Sequence, residues 1–142
     1  VKLAKQNIRR VFMVDDDADI RKICNVSLSS VGGWEVTLAA SGPEALEKLA
    51  IQKPDVILLD VMMPGMDGPT TYAKIKELPG GADVPVILIT AKVQQHELEK
   101  YTKLGVAGVI MKPFDPMTLP NQVISLLDSW YEATAHRKFK MP

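Results

Sequence analysis

The chain has 142 residues, 46% hydrophobic and 24% charged, a balance that fits one ordinary globular domain and lies far from the disordered and membrane classes. Lys plus Arg and Asp plus Glu both number 17, so no overall charge bias points to nucleic acid or to an anionic membrane. The single cysteine, Cys24, excludes an intrachain disulfide or a cysteine metal cluster. No apolar stretch approaches the ~20 residues of a membrane span, and the start has no signal-peptide core, so a cytoplasmic location is expected.

Residues 10–14 form the first strand candidate, followed by Asp15-Asp16-Asp17 and a helix with Ile20, Ile23, Cys24, Leu28 and Val31 on one face. Cys24 on that face reads as buried filler. Gly32-Gly33 stops the helix, and residues 34–40 alternate as a second strand. Ser41-Gly42-Pro43-Glu44 has the pattern of a capping box with Pro at the helix start, and Leu46, Leu49 and Ala50 supply the inner face of that helix. The third strand spans 55–60, four uninterrupted apolar residues between Asp55 and Asp60, a pattern of burial on both faces. A helix over about 68–78 ends at Pro79-Gly80-Gly81. A fourth strand over 84–90, a fourth helix over 94–104 stopped by Gly105, and a fifth strand over 107–111 follow. Asp115-Pro116 opens the last helix, which carries Leu119, Val123, Leu126, Leu127 and Trp130, with Pro120 in its first turn.

Five strand-then-helix units with short connections predict an α/β fold, a doubly wound parallel five-stranded sheet of flavodoxin-like type with strand order 2-1-3-4-5. The expected organisation is one domain over 9–130, with an N-terminal tail over 1–8 and a C-terminal tail over 131–142. The basic clusters at 2–10 and 136–140 read as solvated tails.

The strand ends carry the chemistry. Asp15 and Asp16 follow the first strand, Asp60 closes the third, Thr90 closes the fourth, and Lys112 follows the fifth. Taken one at a time, such an Asp is often a helix cap, Lys-Pro a turn and Thr an ordinary strand residue. In a parallel sheet, however, all four ends lie on one edge, where ligands bind. Carboxylates brought together there repel unless a cation neutralises them, and a hard ion such as Mg²⁺ suits an all-oxygen site. Asp16 and Asp60 are the candidate direct ligands, with Asp15 acting through water. Lys112 offers a point charge and Thr90 a hydroxyl to a phosphoryl group, while the Asp60 carboxylate is a candidate nucleophile toward phosphorus.

The segments Val11-Phe12-Met13-Val14-Asp15-Asp16-Asp17, Leu59-Asp60-Val61-Met62-Met63-Pro64-Gly65-Met66-Asp67-Gly68, Ile89-Thr90-Ala91 and Lys112-Pro113-Phe114 resemble those of bacterial two-component response-regulator receiver domains of the CheY-like type. The resemblance covers nearly the whole chain. It implies that Asp60 accepts a phosphoryl group from a phosphohistidine on a sensor histidine kinase or a histidine phosphotransfer protein. It also implies Mg²⁺ held by Asp16, Asp60 and the backbone carbonyl of Met62, with Thr90 and Lys112 on the phosphate and a cis peptide at Lys112-Pro113. Phosphorylation would then reshape the face made by the fourth helix, fifth strand and fifth helix, which an unknown downstream protein would read; a phosphorylation-dependent dimer is left open. The implied activity is that of a switch, not a turnover enzyme.

Val109 departs from the family, which usually has an aromatic or His three residues before the lysine. Met62 and Lys92 occupy positions that in the family modulate access of water to the acyl phosphate. Met62, Met63 and Met66 read as loop and core packing, and His96 as a solvated side chain. One rival is a Mg²⁺-dependent small-molecule phosphohydrolase with Asp60 as nucleophile, which would need an acid two residues on, where Met62 stands. Another is a flavodoxin-like nucleotide-binding domain, disfavoured because the first turn holds three aspartates rather than glycines.

Overall fold

The computed structural model describes residues 8–91 and 94–140, the side chains of 135–140 excepted. In chain order the elements are β1 (Arg10–Val14), α1 (Ala18–Val26), which continues as a π-helical turn (Ser27–Val31), β2 (Glu35–Ala39), α2 (Gly42–Leu49), β3 (Val56–Asp60) and α3 (Gly68–Glu77). A 3₁₀ turn (Gly81–Asp83) leads to β4 (Val86–Thr90), α4 (Gln95–Leu104), β5 (Gly108–Met111) and α5 (Leu119–Lys140). The five strands are parallel in the order β2-β1-β3-β4-β5, as the alternation of elements predicts.

The two-residue period of the strands divides the core. Val11, Met13, Val56, Leu58, Ile87, Ile89 and Ile110 face one side, against Cys24 and Leu28 of the first helix and Leu119, Val123 and Leu127 of α5. Phe12, Val14, Ile57, Leu59, Val86 and Leu88 face the other side, against Ala45, Tyr72, Ile75 and Tyr101. All five residues of β3 and of β4 are buried, which is why these strands read as unbroken apolar runs.

Side-chain caps start three of the helices. Asp17 accepts from the backbone N–H of Asp19, and Asp67 from that of Thr70. Ser41 accepts from Glu44 N–H, while Glu44 reaches back to Ala40 N–H, one residue earlier than an ideal capping box. Gly105 closes α4 with a φ of +96°, a conformation that a Cβ would strain.

The inner faces differ from the sequence expectation at several places. Ile23 is 41% and Val31 44% exposed, while Cys24, Ser27 and Leu28 point inward. The wider π turn, with Gly32 N–H bonded to Ser27 C=O, breaks the 3.6-residue phase and rotates Val31 outward. In α2 the buried residues are Gly42 and Ala45; Leu46 and Leu49 pack at the margin, and Ala50 faces solvent. The last helix starts at Leu119, after a turn closed on Asp115, and runs to Lys140, so residues 131–140 continue the helix where a tail was expected. Among the described residues no helix is long and apolar enough to cross a membrane.

Candidate functional site

β1 and β3 are neighbours, so the chain leaving Val14 and the end of β3 emerge side by side at the C-terminal edge of the sheet. Asp15 is fully buried there, and its backbone N–H continues the sheet by donating to Ala39 C=O. Asp16 is exposed. Asp60 is 3% exposed and lies opposite Ile89 of β4. One carboxylate oxygen from each of Asp15, Asp16 and Asp60 lies within 4.8 Å of the others.

The fifth strand delivers the cation. Lys112 backbone N–H donates to Thr90 C=O at 2.8 Å, prolonging the β4–β5 ladder by one residue. Its ammonium then spans the acidic pair, donating to Asp15 Oδ2 at 2.8 Å and to Asp60 Oδ1 at 3.2 Å. The Lys112-Pro113 peptide is cis, as the resemblance implies. Thr90, buried at the end of β4, stands opposite Met111. The structure thus brings together the side chains of Asp15, Asp16, Asp60 and Lys112, with Thr90 ending the strand beside Asp60's.

The electrostatics follow from that crowding. Burial, then the charge of Asp15, pushes the Asp60 carboxyl up to about 6; Lys112 opposes the rise and Asp16 adds to it. For Lys112 burial works against the charged form, but the carboxylates of Asp15 and Asp60 outweigh it and hold the ammonium above its ordinary value. One lysine therefore does not fully neutralise the carboxylates around it. An oxygen-rich, under-neutralised cluster of this kind is a fitting site for a small hard cation.

The loop after Asp60 is folded back tightly. Val61 N–H donates to Ile89 C=O, and Gly68 N–H donates to Val61 C=O at 2.9 Å, so the start of α3 is tied to the residue after Asp60. A Cβ on Gly68 would stand 2.5 Å from the Asp60 backbone oxygen. Sequence reasoning gave Gly68 no role beyond opening a helix; the available signal was Asp67-Gly68, an N-cap followed by a residue without a side chain.

Met62, between these anchors, is 75% exposed, whereas Met63 is buried in the core; Met66 borders Gly42, whose Cβ would come within 2.8 Å of its sulfur. Val109, paired with Leu88, packs half-buried against the cluster that contains Tyr72 and Tyr101. His96 is exposed. Lys92, residues 2–7 of the N-terminal basic cluster and the side chains of 136–140 lie outside the described residues.

The family model described as response regulator receiver domain matches residues 11–124. A probable transcriptional regulator ycf27 from Cyanophora paradoxa is 37% identical over 121 residues, 85% of this chain and 49% of that protein. The response regulator PleD from Caulobacter vibrioides is 40% identical over 118 residues, 82% of this chain and 26% of that protein. The chain thus spans about half, or less, of the curated relatives it matches. Among solved structures, the chemotaxis protein CheY4 of Vibrio cholerae superposes with a TM-score of 0.78 at 30% identity, covering 84% of this chain and 98% of that one. A CheY-like receiver domain protein from Methanospirillum hungatei JF-1 gives 0.77 at 26% identity, covering 89% and 98%.

Proposed function

The chain belongs to the response regulator receiver domain family, and from that premise we propose that Asp60 is its phosphoacceptor, charged by a phosphohistidine on a sensor histidine kinase or a histidine phosphotransfer protein. Receiver domains are the phosphorylation-controlled switches of two-component signalling, and this one has the CheY-like fold. The observation that carries the assignment is the meeting of three carboxylates within 4.8 Å beside an ammonium that touches two of them.

With its carboxyl at about 6, Asp60 is mostly ionised at neutral pH and presents a nucleophilic oxygen. That oxygen attacks phosphorus in line with the departing imidazole nitrogen; the P–O bond forms as the P–N bond breaks, and imidazole leaves with the proton it carried. Lys112 shifts from Asp60 onto the new phosphoryl oxygens, and the Thr90 hydroxyl donates to another. Mg²⁺ fits the donor set: Asp16, Asp60 and the Met62 backbone carbonyl would hold it, with Asp15 acting through water. When bound it supplies neutralisation of the phosphoryl charge.

A groove of about 580 Å³ lined by Ile20, Ile23, Pro113, Phe114 and Pro116 opens beside Lys112, and its apolar wall suits the protein that carries the phosphohistidine. The output face is that of α4, β5 and α5, where Leu104 and Met111 are exposed; its downstream protein binds there, and neither nucleic acid nor membrane is contacted directly. The receiver unit is residues 9–130, acting in the cytoplasm as a switch rather than a turnover enzyme. The small-molecule phosphohydrolase reading is not favoured, since Met62 offers no proton where such an enzyme needs one.

The test is incubation of the intact protein with Mg²⁺ and phosphoramidate, read by intact mass. Wild type gains one phosphoryl group and Asp60→Asn gains none; an unmodified wild type, or an equally modified variant, contradicts the assignment.

A further inference from the structure

We propose that Ser27 is a positioning residue for Lys112, acting through the loop that joins β5 to α5; the inference rests on the phosphoacceptor reading of Asp60. Ser27 is buried on the inward face of the first helix, in a place flanked by the fully buried Cys24 and Leu28. A serine there would be replaced by an apolar residue at no cost unless its hydroxyl were used. It is used at long range: the hydroxyl donates to Pro116 C=O at 2.5 Å, across 89 residues of sequence.

That partner is unusual for a helical hydroxyl in this chain. Ser29, Thr71, Thr102 and Thr134 all donate to the carbonyl four residues back in their own helix, to Asn25, Asp67, Leu98 and Trp130. Such local bonding is the ordinary behaviour of Ser and Thr in helices. Ser27 forgoes it at the point where the α-helix widens into the π turn, a deviation that recurs at functional sites.

The loop that Ser27 grips carries the site's ammonium. At one end Lys112 is fixed to β4 through Thr90 C=O; at the other, Asp115 closes a turn on the backbone N–H groups of Met117, Thr118 and Leu119. Pro116 lies within that turn, four residues beyond Lys112. The same first helix begins just after Asp15 and Asp16, and its Arg21 guanidinium donates to Asp15 C=O at 2.7 Å. One hydroxyl thus couples the helix that follows the acidic pair to the loop that follows the lysine, and so sets the spacing over which Lys112 reaches Asp15 and Asp60.

The experiment measures the maximal rate of phosphorylation by phosphoramidate with Mg²⁺ in the intact protein, for Ser27→Ala, Ser27→Thr, Ser27→Cys, Lys112→Ala and the Ser27→Ala/Lys112→Ala pair. Ser27→Ala is expected to lower the maximal rate about 10-fold, with little change in the half-saturating phosphoramidate concentration, because a displaced group weakens the transition state more than the encounter. Ser27→Thr restores the rate and Ser27→Cys, of similar size but a weaker donor, falls between. In the Lys112→Ala background, Ser27→Ala has no further effect. Urea midpoints confirm that each variant compared is folded. A wild-type rate in Ser27→Ala overturns the proposal, as does a slowing that persists in full once the Lys112 amine is gone. Failure of the wild type to take up phosphate overturns the Asp60 reading and this inference with it, a result distinct from both.

Discussion

Gly68 and Asp60 are in backbone contact: a Cβ at position 68 would lie 2.5 Å from the Asp60 carbonyl oxygen and 2.8 Å from Val61 Cα. The loop that follows Asp60 can close only because that atom is missing, and Gly68 N–H then bonds to Val61 C=O.

Gly68→Ala should therefore push the loop away from the end of β3. The expected cost is about 1–3 kcal/mol in urea denaturation, the usual range for forcing a methyl into a packed site. Phosphorylation should slow as well, since the displaced segment includes Met62. Unchanged stability would mean that the loop relaxes without strain.

Asp60 makes the metal-free protein pH-dependent with a definite sign. Its carboxyl rises from 3.8 to about 6 on folding, mainly through burial and the charge of Asp15. The folded state therefore binds the proton more tightly, and stability from this group is full below pH 3.8 and lost as pH rises through about 6. Ionised Asp60 then costs on the order of 2–3 kcal/mol at neutral pH. In chelator, Asp60→Asn should be more stable than wild type at pH 7 to 8, with the gap closing toward about pH 4. Urea denaturation across that range is the measurement, and a variant less stable than wild type at pH 8 contradicts the account.

Adding Mg²⁺ should reverse that cost. A cation that binds only the folded state stabilises by about 2.7 kcal/mol at one hundred times its dissociation constant. Asp16 is exposed, so Asp16→Ala should leave stability in chelator nearly unchanged while abolishing most of the Mg²⁺-induced rise in midpoint. Equal responses in both proteins would place the ion elsewhere.

Cys24 is fully buried, and burial first, then the charge of Asp15, pushes its thiol up to about 12. The thiolate is the reactive form. At pH 8 the native protein should react with a disulfide reagent only as fast as it opens, and reaction should become rapid above the urea midpoint. Fast reaction of the folded protein would show that the first helix exposes its inner face.

The strand-end carboxylates, Lys112 and the sheet order were legible because burial on both faces leaves unbroken apolar runs in β3 and β4, and parallel connectivity places their ends together. Other features turn on packing that periodicity does not encode. Ile23 and Val31 were expected inward, but the π turn shifts the phase of Val31, and Ile23, which precedes that turn, edges the groove beside Lys112; Ser27, passed over as polar, lies three residues after Cys24 and shares its inner face. Ala50, the C-cap of α2, keeps helical geometry, and five residues past the buried Ala45 it lies about 140° round the helix from it, on the solvent side. The continuation of α5 past Trp130 had a signal, since no Gly or Pro interrupts the sequence from Tyr131 to Lys140. The role of Gly68 depends on a neighbour eight residues earlier that no local pattern reveals.

The central claim is that Asp60 itself becomes the acyl phosphate. After treatment with phosphoramidate and Mg²⁺, borohydride reduction converts an aspartyl phosphate to homoserine, and peptide mass spectrometry locates it. The account predicts homoserine at position 60, dependent on Mg²⁺ and strongly reduced in Lys112→Ala. Homoserine at Asp15, Asp16 or another carboxylate, with Asp60 intact, would contradict it.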